Sequence, residues 1–220
     1  MVKSQKRVFL YALILTFVIF NLGIFFGYML ETSRGNTINN LYSDAELELL
    51  DQIAQKQAIG TLNFNCTTLT DENIKFGDQI FSEALQIKKY EDANRITSSI
   101  IMQHKRFDLL RTIFWINSIQ IKQQCNSSYH DVIYLYKYNN PTVEQDAKQK
   151  FFSNMLQDLK QKQGSNIMLI PIAADNDIPS LNLLMDKYQI DQNNLPVILI
   201  DEKTKITDVQ SIDDIEKYLN

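Results

Sequence analysis

Residues 132–145 read VIYLYKYNNPTVEQ, and the change of rhythm inside this stretch decides the fold. Residues 132–138 are a short run of β-branched, apolar and aromatic side chains, which predicts a strand. Residues 143–162 read as a helix, with Val143, Ala147, Phe151, Met155 and Leu159 on one stripe. Tyr134, Tyr136 and Tyr138 share one face of the strand. Packing against a helix is the expected use of that face, and a binding stripe is the alternative.

Working outward toward the C-terminus, residues 167–173 (IMLIPIA) form a second apolar run. Pro171 inside it predicts a bend or a strand end. Pro179-Ser180-Leu181 opens a helix with Leu184, Met185 and Tyr188 inward. Residues 196–201 (PVILID) are a third strand, and residues 205–209 a short fourth. Ser211-Ile212-Asp213-Asp214 has the form of a capping box for a last helix carrying Ile215 and Leu219. The order is β-α-β-α-β-β-α. The first crossover gives a parallel pair, and the close spacing of the last two strands a hairpin. The fold class is therefore α/β, a mixed four-stranded sheet with helices on both faces.

Residues 37–124 are helical in pattern. Ser43 is placed to cap a helix containing Leu47, Leu50, Ile53 and Ala54. Gly60 and residues 63–68 break it from a second helix, which starts at Thr70-Asp71-Glu72. In a third helix, over residues 96–124, Ile100, Phe107, Phe114 and Ile121 recur every seven residues. An intramolecular bundle is the expected use of this stripe. Homodimerisation through a coiled coil is the alternative.

Residues 8–30 (VFLYALILTFVIFNLGIFFGYML) carry no charge. As a helix they extend roughly 35 Å, against a hydrocarbon core of about 30 Å. A cleaved signal sequence would have a shorter apolar run ending in small residues, and Gly27-Tyr28-Met29-Leu30-Glu31 offers no such site. Asn21 is the one strongly polar side chain in the span, and a partner helix could satisfy it. Lys3, Lys6 and Arg7 precede the span, which predicts a cytoplasmic N-terminus, residues 1–7, and an extracytoplasmic remainder. The chain carries −4 overall, so the part beyond the span is near −7, a poor nucleic-acid binder. Outside the membrane, the two cysteines, Cys66 and Cys125, are expected to pair, worth roughly 4 kcal/mol in the chain-entropy model. Asn65-Cys66-Thr67 and Asn126-Ser127-Ser128 are sequons, so Asn65 and Asn126 are candidate glycosylation sites.

The element order over residues 130–220, with Leu195-Pro196-Val197 opening the third strand, resembles the thioredoxin fold. The resemblance implies that Pro196 is cis and stands beside the redox motif. An anchor at residues 8–30, a helical region at 37–128 with a cysteine toward each end, and a thioredoxin-like domain at 130–220 are together similar to a group of archaeal membrane-anchored thioredoxin-domain proteins. In the thioredoxin family a Cys-x-x-Cys lies between the first strand and the next helix. Here that place holds Asn140-Pro141-Thr142-Val143. Neither Asn140 nor Val143 can form a thiolate, so dithiol exchange has no nucleophile there. Only Pro196 keeps its position.

Other chemistry is sparse. His104 and His130 lie in different halves and read as isolated histidines, and no residues have metal-ligand spacing. No Gly-rich phosphate loop or Gly-x-Ser-x-Gly elbow is present. Asp175, Asp177 and Asp201, near strand ends, are candidates for a cation or for a solvated loop surface. No cofactor is implied. The leading expectation is a non-catalytic binding or scaffold module, with a protein or peptide partner beside Pro196. The alternatives are a membrane-anchored thiol oxidoreductase using Cys66 or Cys125, and a coiled-coil subunit of a membrane complex.

Overall fold

The computed structural model describes residues 2–61, 64–93 and 98–219. The chain divides into two compact units, Met1–Ser43 and Asp44–Asn220. The first consists of the N-terminal part of helix α1 (Val2–Thr61). Within it, Arg7–Leu30 is long and apolar enough to cross a membrane, and none of this span is buried in the protein. Two of its polar side chains bond back to the helix. Asn21 Nδ2 donates to the Phe17 carbonyl at 2.7 Å, and Thr16 Oγ1 to that of Ala12 at 2.9 Å. Back-bonding to the preceding turn meets one of the two amide N–H groups of Asn21.

Ser43 is not a cap: it lies inside α1, which runs unbroken to Thr61. A serine in a helix interior costs only tenths of a kcal/mol, and no proline interrupts residues 31–43. Gly60 falls in the last turn of α1. The second helix, α2 (Cys66–Ala93), starts four residues before Thr70. Asn65 supplies the earlier start, since its Oδ1 accepts the Thr67 N–H at 2.9 Å. The third helix is α3 (Ser98–Cys125).

The rest of the second unit comprises β1 (His130–Tyr136), α4 (Val143–Gln163), β2 (Ile167–Ala173), α5 (Pro179–Lys187), β3 (Val197–Ile200), β4 (Thr204–Ile206) and α6 (Asp213–Glu216). The sheet order is β2-β1-β3-β4, with β1 and β2 parallel and both other pairs antiparallel. This is the thioredoxin-like β-α-β-α-β-β-α order, preceded by helices and one apolar N-terminal helix. Pro171 neither bends nor ends its strand: it sits inside β2 opposite Tyr134. Because β2 is the edge strand, the missing N–H of proline costs no ladder bond. The fourth strand ends at Ile206 instead of reaching Val209. The capping box at α6 is also replaced. The Asp214 carboxylate accepts the backbone N–H groups of Gln210 and Ser211, both at 3.1 Å, while Ser211 caps nothing.

One face of the sheet packs Val132, Tyr134, Leu169, Ile198 and Ile200 against Phe152, Leu156 and Leu159 of α4 and Ile215 of α6. Alternation turns Ile133 and Leu135 to the other face, where α3 and α5 lie. Ile100, Phe107, Phe114 and Ile121 are all buried within this one chain. Phe114 meets Phe76 of α2 edge-to-face at 5.2 Å. Gly77 permits that approach, since a Cβ there would stand 2.5 Å from the Met168 sulfur and 3.1 Å from the Phe114 ring. The seven-residue stripe thus serves the intramolecular packing of α2, α3 and the sheet.

Candidate functional site

Two polar centres lie at opposite ends of β1. At the C-terminal end, the chain leaves the strand through the turn that carries Asn140-Pro141-Thr142-Val143. Asp175 holds this turn, its carboxylate accepting the N–H groups of Tyr138 and Asn139 at 2.8 and 2.7 Å. Asn140 has φ +49°, a left-handed conformation that asparagine tolerates better than most side chains. Thr142 caps α4 in a reciprocal box with Gln145. Val143, where the second motif cysteine would stand, is 90% exposed. The Leu195–Pro196 peptide is cis, and Pro196 is buried. Val197 pairs with Leu135, so Pro196 stands at this same end of the sheet. The geometry is a thioredoxin-like strand, turn and helix without a thiol.

Beside this turn, between α2, α4 and the β1–β2 edge, is a cavity of about 340 Å³. Tyr134, Tyr136, Tyr138 and Pro141 line it, so the turn borders it through Pro141. The tyrosine face therefore serves both as packing surface and as cavity wall. The Tyr134 hydroxyl donates to the Gln149 carbonyl at 3.0 Å, and its ring stacks on Tyr136 at 5.5 Å. Burial raises the pKa of all three phenols, and the Asp108 carboxylate adds to the rise at Tyr136.

His104 is not isolated. It is 5% exposed, with Nδ1 at 2.8 Å from Glu91 and Nε2 at 2.9 Å from the Tyr136 hydroxyl and 3.3 Å from Asp108. Its ring stacks on Tyr138 at 3.9 Å. Asp108, fully buried, also receives Arg111 at 3.0 Å and Asn176 at 2.7 Å. Burial raises the Asp108 pKa against the opposing pull of His104 and Arg111. The sequence carried one signal for this centre. His104, Asp108 and Arg111 recur at helical spacing within the apolar stripe of α3.

The N-terminal end of β1 holds the cysteines and a closed charge cluster. The Cys66 and Cys125 sulfurs are bonded, 2.06 Å apart, tying the first turn of α2 to the last turn of α3. Lys122 pairs with Asp201 and lies 3.4 Å from the buried Asp131. His130 Nδ1 meets Asp201 at 2.6 Å, and Trp115 Nε1 donates to Glu202 at 2.8 Å. Burial pushes the Asp131 carboxyl up to about 7 despite Lys122, with Glu202 adding to the rise. Burial likewise raises Glu202, whereas hydrogen bonds from Lys122 and His130 hold Asp201 below the ordinary value in spite of partial burial.

The three aspartates singled out for a cation are engaged within the protein. Asp175 holds the turn, Asp177 accepts Asn182 at 3.2 Å, and Asp201 is enclosed by Lys122 and His130. Among the described residues, no three His, Cys, Asp or Glu side chains form a metal-binding group. Asn65 and Asn126 are both exposed; Asn65 caps α2, and Asn126 has φ +47° just after α3. Comparison with protein-family models, curated proteins and solved structures finds no match to this chain.

Proposed function

We propose that this chain is a membrane-tethered binding module whose thioredoxin-like domain does no dithiol chemistry. Residues 8–30 would anchor it in the membrane with residues 1–7 on the cytoplasmic side. Residues 37–128 would form a helical region and residues 130–220 the thioredoxin-like domain, both outside the membrane. In that compartment the Cys66–Cys125 bond persists and Asn65 and Asn126 are open to glycosylation. Descent from a redox-active thioredoxin ancestor, along with the archaeal membrane-anchored proteins of the same layout, belongs to this proposal.

One observation carries it. The only two cysteines lie beyond the N-terminal end of β1, whereas the motif turn lies at the C-terminal end. The six residue steps of β1 separate these ends by roughly 20 Å. Thiol exchange requires sulfurs in contact, so the cystine cannot serve the motif turn without rearrangement of the fold. Pro196 is buried, which moves the binding surface from Pro196 itself to the cavity wall that includes Pro141.

Mixed-disulfide trapping tests the reading. The full chain in lipid nanodiscs would be incubated with excess reduced insulin B chain, whose free thiols can attack a reactive cystine, quenched in acid and mapped by mass spectrometry. The expected result is an intact Cys66–Cys125 bridge with no insulin adduct. A stoichiometric adduct on Cys66 or Cys125 would show the chain to be a thiol oxidoreductase.

A further inference from the structure

We propose that the cavity at the β2 edge binds a small carboxylate carrying an apolar, aromatic body. This rests on the binding-module reading and names the ligand class of that site.

Size sets the first limit. A cavity of about 340 Å³ falls at the lower end of the range for small-molecule sites, roughly 300–1,000 Å³. It admits a small molecule or one large side chain, and no folded partner. Its body is carbon: Phe81 and Leu85 come from α2, Leu156 from α4 and Leu169 from β2. The stacked rings of Tyr134 and Tyr136 add π-faces, which favour an aromatic ring over a purely aliphatic chain.

The sign of the ligand follows from which wall groups have partners. Glu91 is engaged by His104, and Asp146 by Lys150 at 2.7 Å. The unmet groups are donors. Arg111 lines the cavity and is only 3% exposed. One of its terminal nitrogens reaches Asp108, yet its buried Nε–H has no acceptor among the described residues. A buried donor left without an acceptor costs about 1–3 kcal/mol. Lys137 also lines the cavity, and its ammonium has no ion-pair partner among the described residues. With Arg111 held by Asp108, the unpaired Lys137 among the residues lining an apolar chamber matches a carboxylate. A neutral head would leave the Lys137 ammonium without a counter-ion, and an ammonium would be repelled.

Three probes that differ only in their head group test this: 4-phenylbutyrate, 4-phenylbutanol and 4-phenylbutylamine. Each is titrated calorimetrically into the full chain in lipid nanodiscs, with empty nanodiscs as the blank. The carboxylate is expected to bind about tenfold tighter than the alcohol, and the amine no better than the blank. Lys137→Met should weaken the carboxylate about tenfold and leave the alcohol unchanged. Ala84→Phe, which fills the cavity from α2, should abolish binding of both; Ser153→Phe does the same from α4 should the first variant not fold. Equal affinity for all three probes would overturn the carboxylate preference and leave the binding module standing. Binding that survives both filling variants would overturn the site. No binding of any probe would overturn the ligand class, while the binding-module reading would still rest on the trapping result.

Discussion

The two ends of β1 solve opposite problems. At the N-terminal end, five ionisable side chains, Lys122, His130, Asp131, Asp201 and Glu202, are drawn into one cluster close to the end of α3 that carries the cystine. Lys122 and His130 meet Asp201 there, and Lys122 also lies beside the buried Asp131. At the C-terminal end the wall is aromatic, its carboxylates are paired, and Lys137, which lines it, has no ion-pair partner among the described residues. The difference teaches where chemistry can reside. The cysteines belong to the closed end and the thioredoxin-like turn to the open one. The thioredoxin-like turn at the open end therefore has no thiol within reach, which is what the proposed binding role rests on.

The largest expected effect comes from opening the closed end. Cys66→Ser with Cys125→Ser removes a bridge across 59 residues of sequence and should cost roughly 2–5 kcal/mol of unfolding free energy in guanidinium titrations. Ligand binding at the open end should survive wherever the chain remains folded. Loss of binding in a folded double variant would mean that the two ends are coupled.

Charge comes second. The folded chain holds the Asp131 proton up to about pH 7, whereas the unfolded chain releases it near the ordinary value of 3.8. Between those values the folded state binds more protons, so stability falls as pH rises from about 4 to about 7. Glu202, also raised, acts in the same direction. Asp201, lowered, has the opposite sign, but its contribution is lost only as pH falls below about 4. Asp131→Asn should therefore flatten the decline, read as the difference in unfolding free energy between about pH 4 and about pH 8. Trp115, the only tryptophan, donates to Glu202, so its fluorescence should report the titration of that raised carboxyl. An unchanged slope in the variant would move the proton to another group.

The smallest effect tests the open end. Thr142→Ala removes the cap of α4 and should cost about 1 kcal/mol, with unchanged resistance of the cystine to reduction. A larger loss would mean that the turn supports more than its own helix.

Much of the fold was legible because the strands are written in local code. The runs at residues 167–173 and 196–201 each contain an observed strand, the run at 132–138 overlaps β1 but lies two residues late at each end, and the helix predicted over 143–162 differs by one residue. What failed were boundaries that depend on competition. Ser43 resembles a cap, but the unbroken α1 leaves no free N–H for it to accept. Asn65 precedes Thr70 and claims the start of α2. Pro171 reads as a strand breaker until the sheet order places it on the edge. The cavity was the least legible part. Glu91, His104, Arg111 and Tyr136 come from three elements, and only packing joins them. The aromatic face of β1 was visible, but the sequence held nothing to say that α2 and α4 would leave space above it.

The open end combines a thioredoxin-like strand, turn and helix with motif positions that hold no thiol. An insulin-reduction assay with dithiothreitol tests it most directly, comparing the native chain with the Asn140→Cys, Val143→Cys double variant, both in nanodiscs. The account predicts a native rate equal to that of empty nanodiscs, and a gain of turnover in the variant. Native turnover that Cys66→Ser abolishes would contradict it.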